Sequence, residues 1–246
     1  MRQWPAMFIK DFKLTRTVFF IGLVMNVWIA ILTLYMGRVA DDSLLMFVPI
    51  AIAVAIHVAY VPIMVFISLK SEGNHLPLWL SNPQPAFKLL LSKIANGLMM
   101  IVISLAFLFA LSGLLIVPKF NLIEPYWTDT WRVGLFIFPH IIWISIQLSV
   151  WAMVIWALYQ CLKLKIGRWS RVAVVGVTIL SGGGDALFKT TKLYRLVTEW
   201  GGIAYKFPAI LSDPIQTYAG EYVYDFMIVV GLFILTAWLV DNKVEG

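Results

Sequence analysis

The chain has 246 residues, of which 61% are hydrophobic and only 13% are charged, and its mean hydropathy is +0.87. Soluble domains carry roughly a quarter charged residues, so this composition excludes a soluble globular protein. The formal net charge of +6 indicates Lys and Arg that face lipid headgroups and the cytoplasm, and we expect no nucleic-acid partner. The single Cys161 excludes an intramolecular disulfide, and no Cys or His spacing predicts a metal site.

Hydropathy predicts six membrane-spanning helices, since about 20 apolar residues cross the ~30 Å hydrocarbon core of a bilayer. The spans are expected at residues 17–37, 44–69, 94–117, 133–161, 172–188 and 223–240. The expected fold is an all-α polytopic membrane protein, with a single transmembrane domain over residues 1–246. Because glycine destabilises helices, we expect the fifth span to break near Gly182, the first of three consecutive glycines.

Residues 1–16 predict an amphipathic helix that lies in the membrane interface. Apolar and aromatic side chains fall on one side of a helical wheel, and Lys10, Lys13 and Arg16 recur on the other, while Asp11 departs slightly from the pattern. The alternative is a basic flank that only orients the first span. The first apolar run is longer than that of a typical signal peptide, and no small-residue cleavage pattern stands out after it, so we interpret it as a mature helix.

Lys and Arg are unevenly divided between the two sides of the six predicted spans. Twelve of the 19 lie on the side of the two termini, and four of the remaining seven lie in one long loop. The positive-inside rule therefore predicts a multi-pass protein with both termini in the cytoplasm. Residues 70–93 then form a cytoplasmic loop, and residues 185–222 form an extracellular segment.

The extracellular segment is too rich in apolar residues for a solvated loop. Its first part shows the i, i+3, i+4, i+7 spacing of an amphipathic helix at Leu193, Leu196, Val197 and Trp200. Gly201 and Gly202 are expected to end this helix, and residues 203–211 form a second apolar piece. We expect short outer helices, interfacial or re-entrant, whose apolar face packs over the fifth and sixth spans.

The cytoplasmic loop contains the stretch LPLWLSNPQPAFKLLLSK at residues 76–93. Pro77 suits the first turn of a short helix, and Pro83 and Pro85 are expected to end it. The apolar cluster of this helix has two possible environments, because it can lie among the lipid headgroups or dock into a groove on a soluble partner. The residues alone leave both open.

The longer stretch SEGNHLPLWLSNPQPAFKLLLSKI, residues 71–94, resembles the first cytoplasmic loop in transmembrane subunits of ABC exporters of the ABCG-like, six-helix type. A Leu-Trp-Leu-Ser phrase, a proline and Lys-Leu-Leu lead into the third helix of bacterial members, and they stand here at 78–81, Pro83 or Pro85, and 88–90. The resemblance implies a short coupling helix, at residues 76–81, seated in a cleft of a separate ATP-binding subunit. The partner-binding residues would be His75, Leu76, Leu78, Trp79, Leu80, Ser81 and Lys88.

The resemblance also implies that two transmembrane subunits, identical or different, form the translocation pathway in the cytoplasmic membrane of a bacterium. ATP and Mg²⁺ would bind to the ATPase subunits, so this chain would hold no cofactor and would not be an enzyme. It contains no G-x-x-x-x-G-K-[ST] motif. The apolar spans suit an amphipathic or hydrophobic substrate, such as a peptide, a lipid or a drug. Polar residues in the spans could line the pathway or hydrogen-bond between helices: Asn26, His57, Asn96 and Gln147.

The sequence also bears on three other classes of membrane protein. A proton-coupled secondary transporter needs ionisable groups at mid-membrane, and the spans offer few besides His57 and His140. An intramembrane hydrolase needs a catalytic pair, and neither histidine has a recognisable partner in the sequence. A non-transporting immunity or sensor subunit is compatible with the sequence.

Overall fold

The computed structural model describes most of the chain, namely residues 3–39, 44–74, 84–116, 121, 124, 127–206 and 213–243. Contacts divide the chain into two compact units. The first comprises Met1–Trp79 and Leu89–Ser149, and the second comprises Leu80–Lys88 and Val150–Gly246.

Helices dominate the described residues, as the composition predicts. The α-helices are α1 (Gln3–Val39), α2 (Val48–Ile56), α3 (Tyr60–Gly73), α4 (Ala86–Ile116), α5 (Trp127–Ile166), α6 (Ser170–Lys189), α7 (Lys192–Thr198) and α8 (Ala219–Lys243). Short 3-10 turns precede three of them, at Leu44–Phe47, His57–Ala59 and Gly167–Trp169. The expected all-α class holds except for one antiparallel hairpin, formed by β1 (Gly202–Tyr205) and β2 (Ile215–Tyr218).

Within the described ranges, five helical stretches are long and apolar enough to cross a membrane: Trp4–Val39, Leu45–Gly73, Ala86–Leu115, Trp127–Lys189 and Ala219–Asn242. Each predicted span overlaps one of them, and the predicted fourth and fifth spans share the 63-residue stretch Trp127–Lys189. Gly167 separates α5 from α6 within that stretch, with a φ of 54° that side chains with a Cβ atom rarely adopt. About 20 residues suffice for one crossing, so the stretch has the length for two. A sixth crossing stays a prediction.

Helix α1 joins the predicted interfacial segment and the predicted first span in one helix of 37 residues. Its N-terminal part is packed against the rest of the first unit, because Met7, Asp11 and Thr15 recur every four residues and are buried. A position of residues 1–16 in the membrane interface stays a prediction.

The core of the first unit brings together α1, α3 and α4 at Phe19, Met64 and Met100. Gly97 allows α4 to approach α3 closely, since a Cβ atom at this position would lie only 2.6 Å from Cγ1 of Val61. A well-packed core cannot absorb such a contact without moving its helices. The spacing between α3 and α4 therefore depends on the absence of a side chain at Gly97.

The expected break near Gly182 is wrong, because α6 continues from Ser170 to Lys189 through all three glycines. Each glycine costs roughly 1 kcal/mol relative to alanine in a helix, which lowers stability without removing a backbone hydrogen bond. The last turn gains support from an ion pair between Lys189 and Asp185, whose N–O distance is 3.0 Å.

The segment at residues 185–222 is partly as expected. Helix α7 ends before Gly201, which has a φ of 65°. Residues 203–205, expected to belong to a second interfacial or re-entrant piece, instead lie in β1, because their backbone groups pair with β2. Residues 207–211 of that piece lie outside the described residues.

The expectation that the apolar face of α7 packs over the neighbouring spans is wrong. All four of its residues are exposed: Leu193, Leu196, Val197 and Trp200. The helix packs instead through Tyr194 and Thr198, because the Tyr194 ring contacts the rings of Phe188 on α6 and Tyr224 on α8.

We predict that Gly97→Ala destabilises the protein by about 1–3 kcal/mol, the usual cost of an overpacked core. The matched control is Gly113→Ala on the same helix, where a Cβ atom meets nothing within 4 Å. This control should gain stability by up to about 1 kcal/mol from helix propensity alone. Thermal unfolding of both variants in detergent micelles measures the difference, and equal melting temperatures would contradict the close approach.

Candidate functional site

A cluster of four charged residues lies where α1, α3 and α4 meet, and it is called the charged cluster below: Lys10, Asp11, Glu72 and Lys93. The Nζ atom of Lys93 lies 3.0 Å from Oδ1 of Asp11 and 2.5 Å from Oε2 of Glu72. Lys10 forms a further ion pair with Glu72. The side chains of Lys93, Asp11 and Glu72 are at most 8% exposed. Two cations thus balance two anions, as burial requires.

Two serine hydroxyl groups form hydrogen bonds with Asp11 and Lys93 of the charged cluster. The carboxylate of Asp11 accepts hydrogen bonds from Ser92 Oγ at 2.7 Å and from Ser68 Oγ at 3.3 Å. Lys93 Nζ donates to Ser68 Oγ at 2.8 Å. Ser68 and Glu72 stand four residues apart on α3 and therefore share one face of that helix. The network forms because Ser68 and Glu72 share a face of α3 and because Ser92 and Lys93 are neighbours on α4.

The charged cluster lies at the ends of its helices. Asp11 and Lys93 occupy the first three turns of α1 and α4, and Glu72 occupies the last turn of α3. Residues 75–83, which include the predicted coupling helix at 76–81, connect the region of α3 to that of α4. The cluster therefore holds helix ends that flank this loop.

Sequence reasoning missed the charged cluster. Asp11 was interpreted as an irregularity in an amphipathic pattern, and Lys93 was counted only as a basic flank. The available signal was the apolar context of Asp11, since a carboxylate among residues that pack into a core requires a buried cation.

Asn26 and His57, two predicted pathway residues, are brought together by Ser104 in the first unit. Asn26 Nδ2 donates to Ser104 Oγ at 3.0 Å and to the Ser104 carbonyl at 3.1 Å. His57 Nδ1 lies 2.7 Å from the carbonyl of Ala53, and His57 Nε2 lies 3.0 Å from Ser104 Oγ. A carbonyl only accepts, so Nδ1 carries the proton, and in neutral His57 the Ser104 hydroxyl donates to Nε2.

The structure thus supplies His57 with the partner that the sequence did not reveal. A serine hydroxyl within hydrogen-bond reach of a histidine is the arrangement of an activated nucleophile. Ser104 has no exposed surface, however, and His57 is only 5% exposed. The geometry therefore favours a polar contact that joins helices over a reactive pair.

The other two predicted pathway residues lie elsewhere in the fold. Asn96 is buried on α4 and donates from Nδ2 to Thr15 Oγ1 at 3.0 Å. Gln147 is half-buried on α5. A role of these residues in a substrate pathway stays a prediction.

Three polar contacts fix how α1 lies along α4. From the N-terminal towards the C-terminal end of both helices, Asp11 binds Lys93, Thr15 binds Asn96, and Asn26 binds Ser104. Residue numbers rise together on the two helices, so α1 and α4 run parallel. This direction agrees with a topology in which the first and third predicted spans cross the membrane in the same sense.

Six of the predicted coupling residues, His75, Leu76, Leu78, Trp79, Leu80 and Ser81, lie outside the described residues. Lys88, the seventh, is exposed on α4, where its Nζ donates to Gln84 Oε1 at 3.3 Å. The start of α4 is held by α8 within the second unit. The backbone amide of Ala86 donates to Asp241 Oδ1 at 3.0 Å, and a carboxylate stabilises a helix N-terminus in this position. The ring of Phe87 meets that of Phe233 edge-on, with centroids 5.2 Å apart.

A second polar cluster lies in the second unit, where α6, α7 and α8 meet. Lys189 Nζ lies 3.0 Å from Asp185 Oδ2 and 3.9 Å from Asp225 Oδ1. Tyr224 donates its hydroxyl hydrogen to Asp185 Oδ1 at 3.2 Å. Partial burial and, after it, the negative charge of Glu221 raise the pKa of Tyr194, whose ring packs against Tyr224. The ion pairs and the Tyr224 hydroxyl join α6 to α8, and the Tyr194 ring attaches α7 to both.

Comparisons with models of protein families, with curated proteins and with solved structures find no match. Within the described ranges, no three His, Cys, Asp or Glu side chains are grouped as metal ligands would be. A function for this chain must therefore be argued from its residues, their geometry and the resemblance of residues 71–94.

We predict that Lys93→Met destabilises the protein by about 3–5 kcal/mol, because it leaves Asp11 as an unpaired buried charge. The double variant Asp11→Asn/Lys93→Met should recover much of this loss, since Glu72 keeps its pair with Lys10. Lys88→Met, an exposed position on the same helix, is the control and should change stability by no more than about 0.5 kcal/mol.

Unfolding of the three variants in detergent micelles measures these differences. A Lys93→Met variant as stable as Lys88→Met would contradict the buried network. A double variant no more stable than Lys93→Met would contradict the pairing of Lys93 with Asp11.

Proposed function

We propose that this chain is the membrane-spanning subunit of an ATP-driven ABC exporter of the ABCG-like type. It would form the pathway for an amphipathic or hydrophobic substrate, together with a second transmembrane subunit. A separate ATP-binding subunit would dock on residues 76–81 and would hold ATP and Mg²⁺, so this chain would hydrolyse nothing. The support from sequence is the resemblance of residues 71–94 and the lack of a phosphate-binding motif.

The observation that carries this proposal is that the chain is held on both sides of residues 75–83. On one side, Glu72 is paired with Lys10 and Lys93. On the other side, Asp241 accepts a hydrogen bond from the backbone of Ala86. A loop whose ends are held by packed helices can pass the movement of a soluble subunit to those helices through their contacts. Both ends of this loop are held in this way.

One observation favours an alternative, a proton-coupled secondary transporter. Buried ionisable groups in membrane helices often belong to proton pathways, and Asp11, Glu72 and Lys93 are such groups. Their place at helix ends and their balanced charge favour a holding role instead. Transport by the chain alone, reconstituted in vesicles with a proton gradient, would support the alternative. Transport that requires the ATPase and ATP supports the exporter, and an immunity or sensor subunit would show neither.

We predict that both termini and residue 75 face the cytoplasm and that residues 41, 124 and 199 face outside. Cys161→Ser gives a chain without cysteine, so single cysteines can be introduced at these positions and labelled in intact cells. An impermeant maleimide should label positions 41, 124 and 199 but reach position 75 only after the cells are permeabilised. Labelling at position 75 from outside would reject this topology.

We predict that Trp79→Ala weakens binding of the ATPase subunit, because one large apolar residue at an interface can contribute about 2 kcal/mol or more. Co-purification of the ATPase from the native cell and substrate-stimulated ATP hydrolysis are the two measurements. Lys88→Ala is the control and should matter less, since an exposed charge is screened. A Trp79→Ala complex with full assembly and full coupling would place the 76–81 segment among the lipid headgroups instead.

A further inference from the structure

The side chains of α7 form three different surfaces. One surface, with Tyr194 and Thr198, packs inward against α6 and α8. A second surface is basic and carries Lys192 and Arg195, both exposed. The third surface is a stripe of apolar residues that Trp200 continues just beyond the end of the helix. It is called the apolar stripe below: Leu193, Leu196, Val197 and Trp200.

The apolar stripe is largely exposed, unlike the inward-packed Tyr194 and Thr198. Leu196 is 81% exposed, and the other three members are between 51% and 59% exposed. Single exposed apolar residues are ordinary, but a contiguous apolar stripe marks a surface that contacts lipid or another molecule.

Contacts with the neighbouring helices orient α7 so that the apolar stripe faces away from them. Near its start, the ring of Tyr194 lies against Phe188 of α6 and Tyr224 of α8. At its end, the amide of Gly220 on α8 donates to the carbonyl of Trp200 at 3.3 Å. A Cβ atom at Gly220 would lie 2.3 Å from the carbonyl oxygen of Thr198, so the two segments are as close as their backbones allow.

The surroundings of the apolar stripe identify what covers it. Helices α6 and α8, against which α7 packs, belong to stretches that are long and apolar enough to cross a membrane. Both carry exposed apolar residues in the turns nearest to α7, with Leu187 at the end of α6 and Val223 at the start of α8. Exposed apolar side chains of both helices therefore reach the turns that adjoin α7.

The remaining features of the stripe match the chemistry of a headgroup layer. Basic residues beside an apolar face are typical of helices that lie flat on a bilayer with anionic lipids. Tryptophan is enriched at this depth. The indole N–H of Trp200 donates to the Val197 carbonyl at 2.8 Å, so its ring can leave water without losing a hydrogen bond.

We propose that α7 is a membrane-surface helix, whose apolar stripe enters the headgroup layer of the bilayer and whose Lys192 and Arg195 bind anionic lipid headgroups. This site does not depend on the exporter proposal. It assigns a lipid partner to residues that lie outside the predicted coupling loop and outside the buried polar contacts.

The test uses a chain without native cysteine, Cys161→Ser, with a single fluorophore at position 196 introduced through Leu196→Cys. The full chain is reconstituted in nanodiscs of phosphatidylcholine and phosphatidylglycerol. Nitroxide attached near the lipid headgroup should quench the label at 196, whereas aqueous iodide should quench it weakly. A label at Glu199→Cys, exposed on the same short segment but outside the stripe, should show the reverse order.

Two further variants keep the test independent of a single substitution. Val197→Cys should report the same quenching as Leu196→Cys, because it lies on the same stripe. Lys192→Gln/Arg195→Gln should lower headgroup quenching at position 196 in discs that contain phosphatidylglycerol and leave it unchanged in pure phosphatidylcholine. The melting temperature of each variant confirms that it is folded.

Two outcomes would overturn the proposal. Quenching of position 196 by iodide, as strong as at position 199, would mean that the stripe faces water. Protection of position 196 from both quenchers would mean that a protein covers it, either a second copy of this chain or another subunit.

Discussion

Lys93 places a positive charge inside an apolar bundle, and two carboxylates from different helices hold it there. Removing an ion from water costs several kcal/mol, and only close partners repay this cost. Because Asp11 lies on α1, Glu72 on α3 and Lys93 on α4, the three helices meet at one point. Their positions along the helix axes are thereby fixed relative to one another. Such a contact contributes less to net stability than to the choice of one arrangement over others.

Two further polar contacts repeat this constraint along α1 and α4. Helices in lipid gain little from the hydrophobic effect when they associate, so close packing and hydrogen bonds decide which faces meet. The bond between Asn96 and Thr15 and the contacts of Asn26 with Ser104 supply this selection. Between them, Gly97 lets the backbone of α4 approach Val61 on α3. The arrangement of α1, α3 and α4 in the first unit therefore depends on these polar pairs and on the absence of a side chain at Gly97.

The charged cluster also holds the helix that precedes the proposed coupling loop. Residues 75–83 leave a helix end held by ion pairs and enter a helix whose first amide is bound by Asp241. At α7 in the second unit, Tyr194 packs inward while Leu193, Leu196 and Trp200 are exposed. Exposed apolar side chains are unfavourable in water and favourable in a headgroup layer, which is the basis of the proposed lipid contact.

The sequence by itself determined the helical class, the positions of the long apolar helices and the helix before Gly201, because these follow from hydropathy, periodicity and backbone preferences of short segments. It could not determine that Asp11 meets Lys93, that His57 has Ser104 as its partner, or which face of α7 packs. Those pairings join residues far apart in the chain. The spacing of residues within one segment does not determine which helices become neighbours. The continuity of α6 through Gly182 was misjudged for a related reason, since an intrinsic penalty of roughly 1 kcal/mol per glycine does not outweigh the hydrogen bonds of a continuous helix.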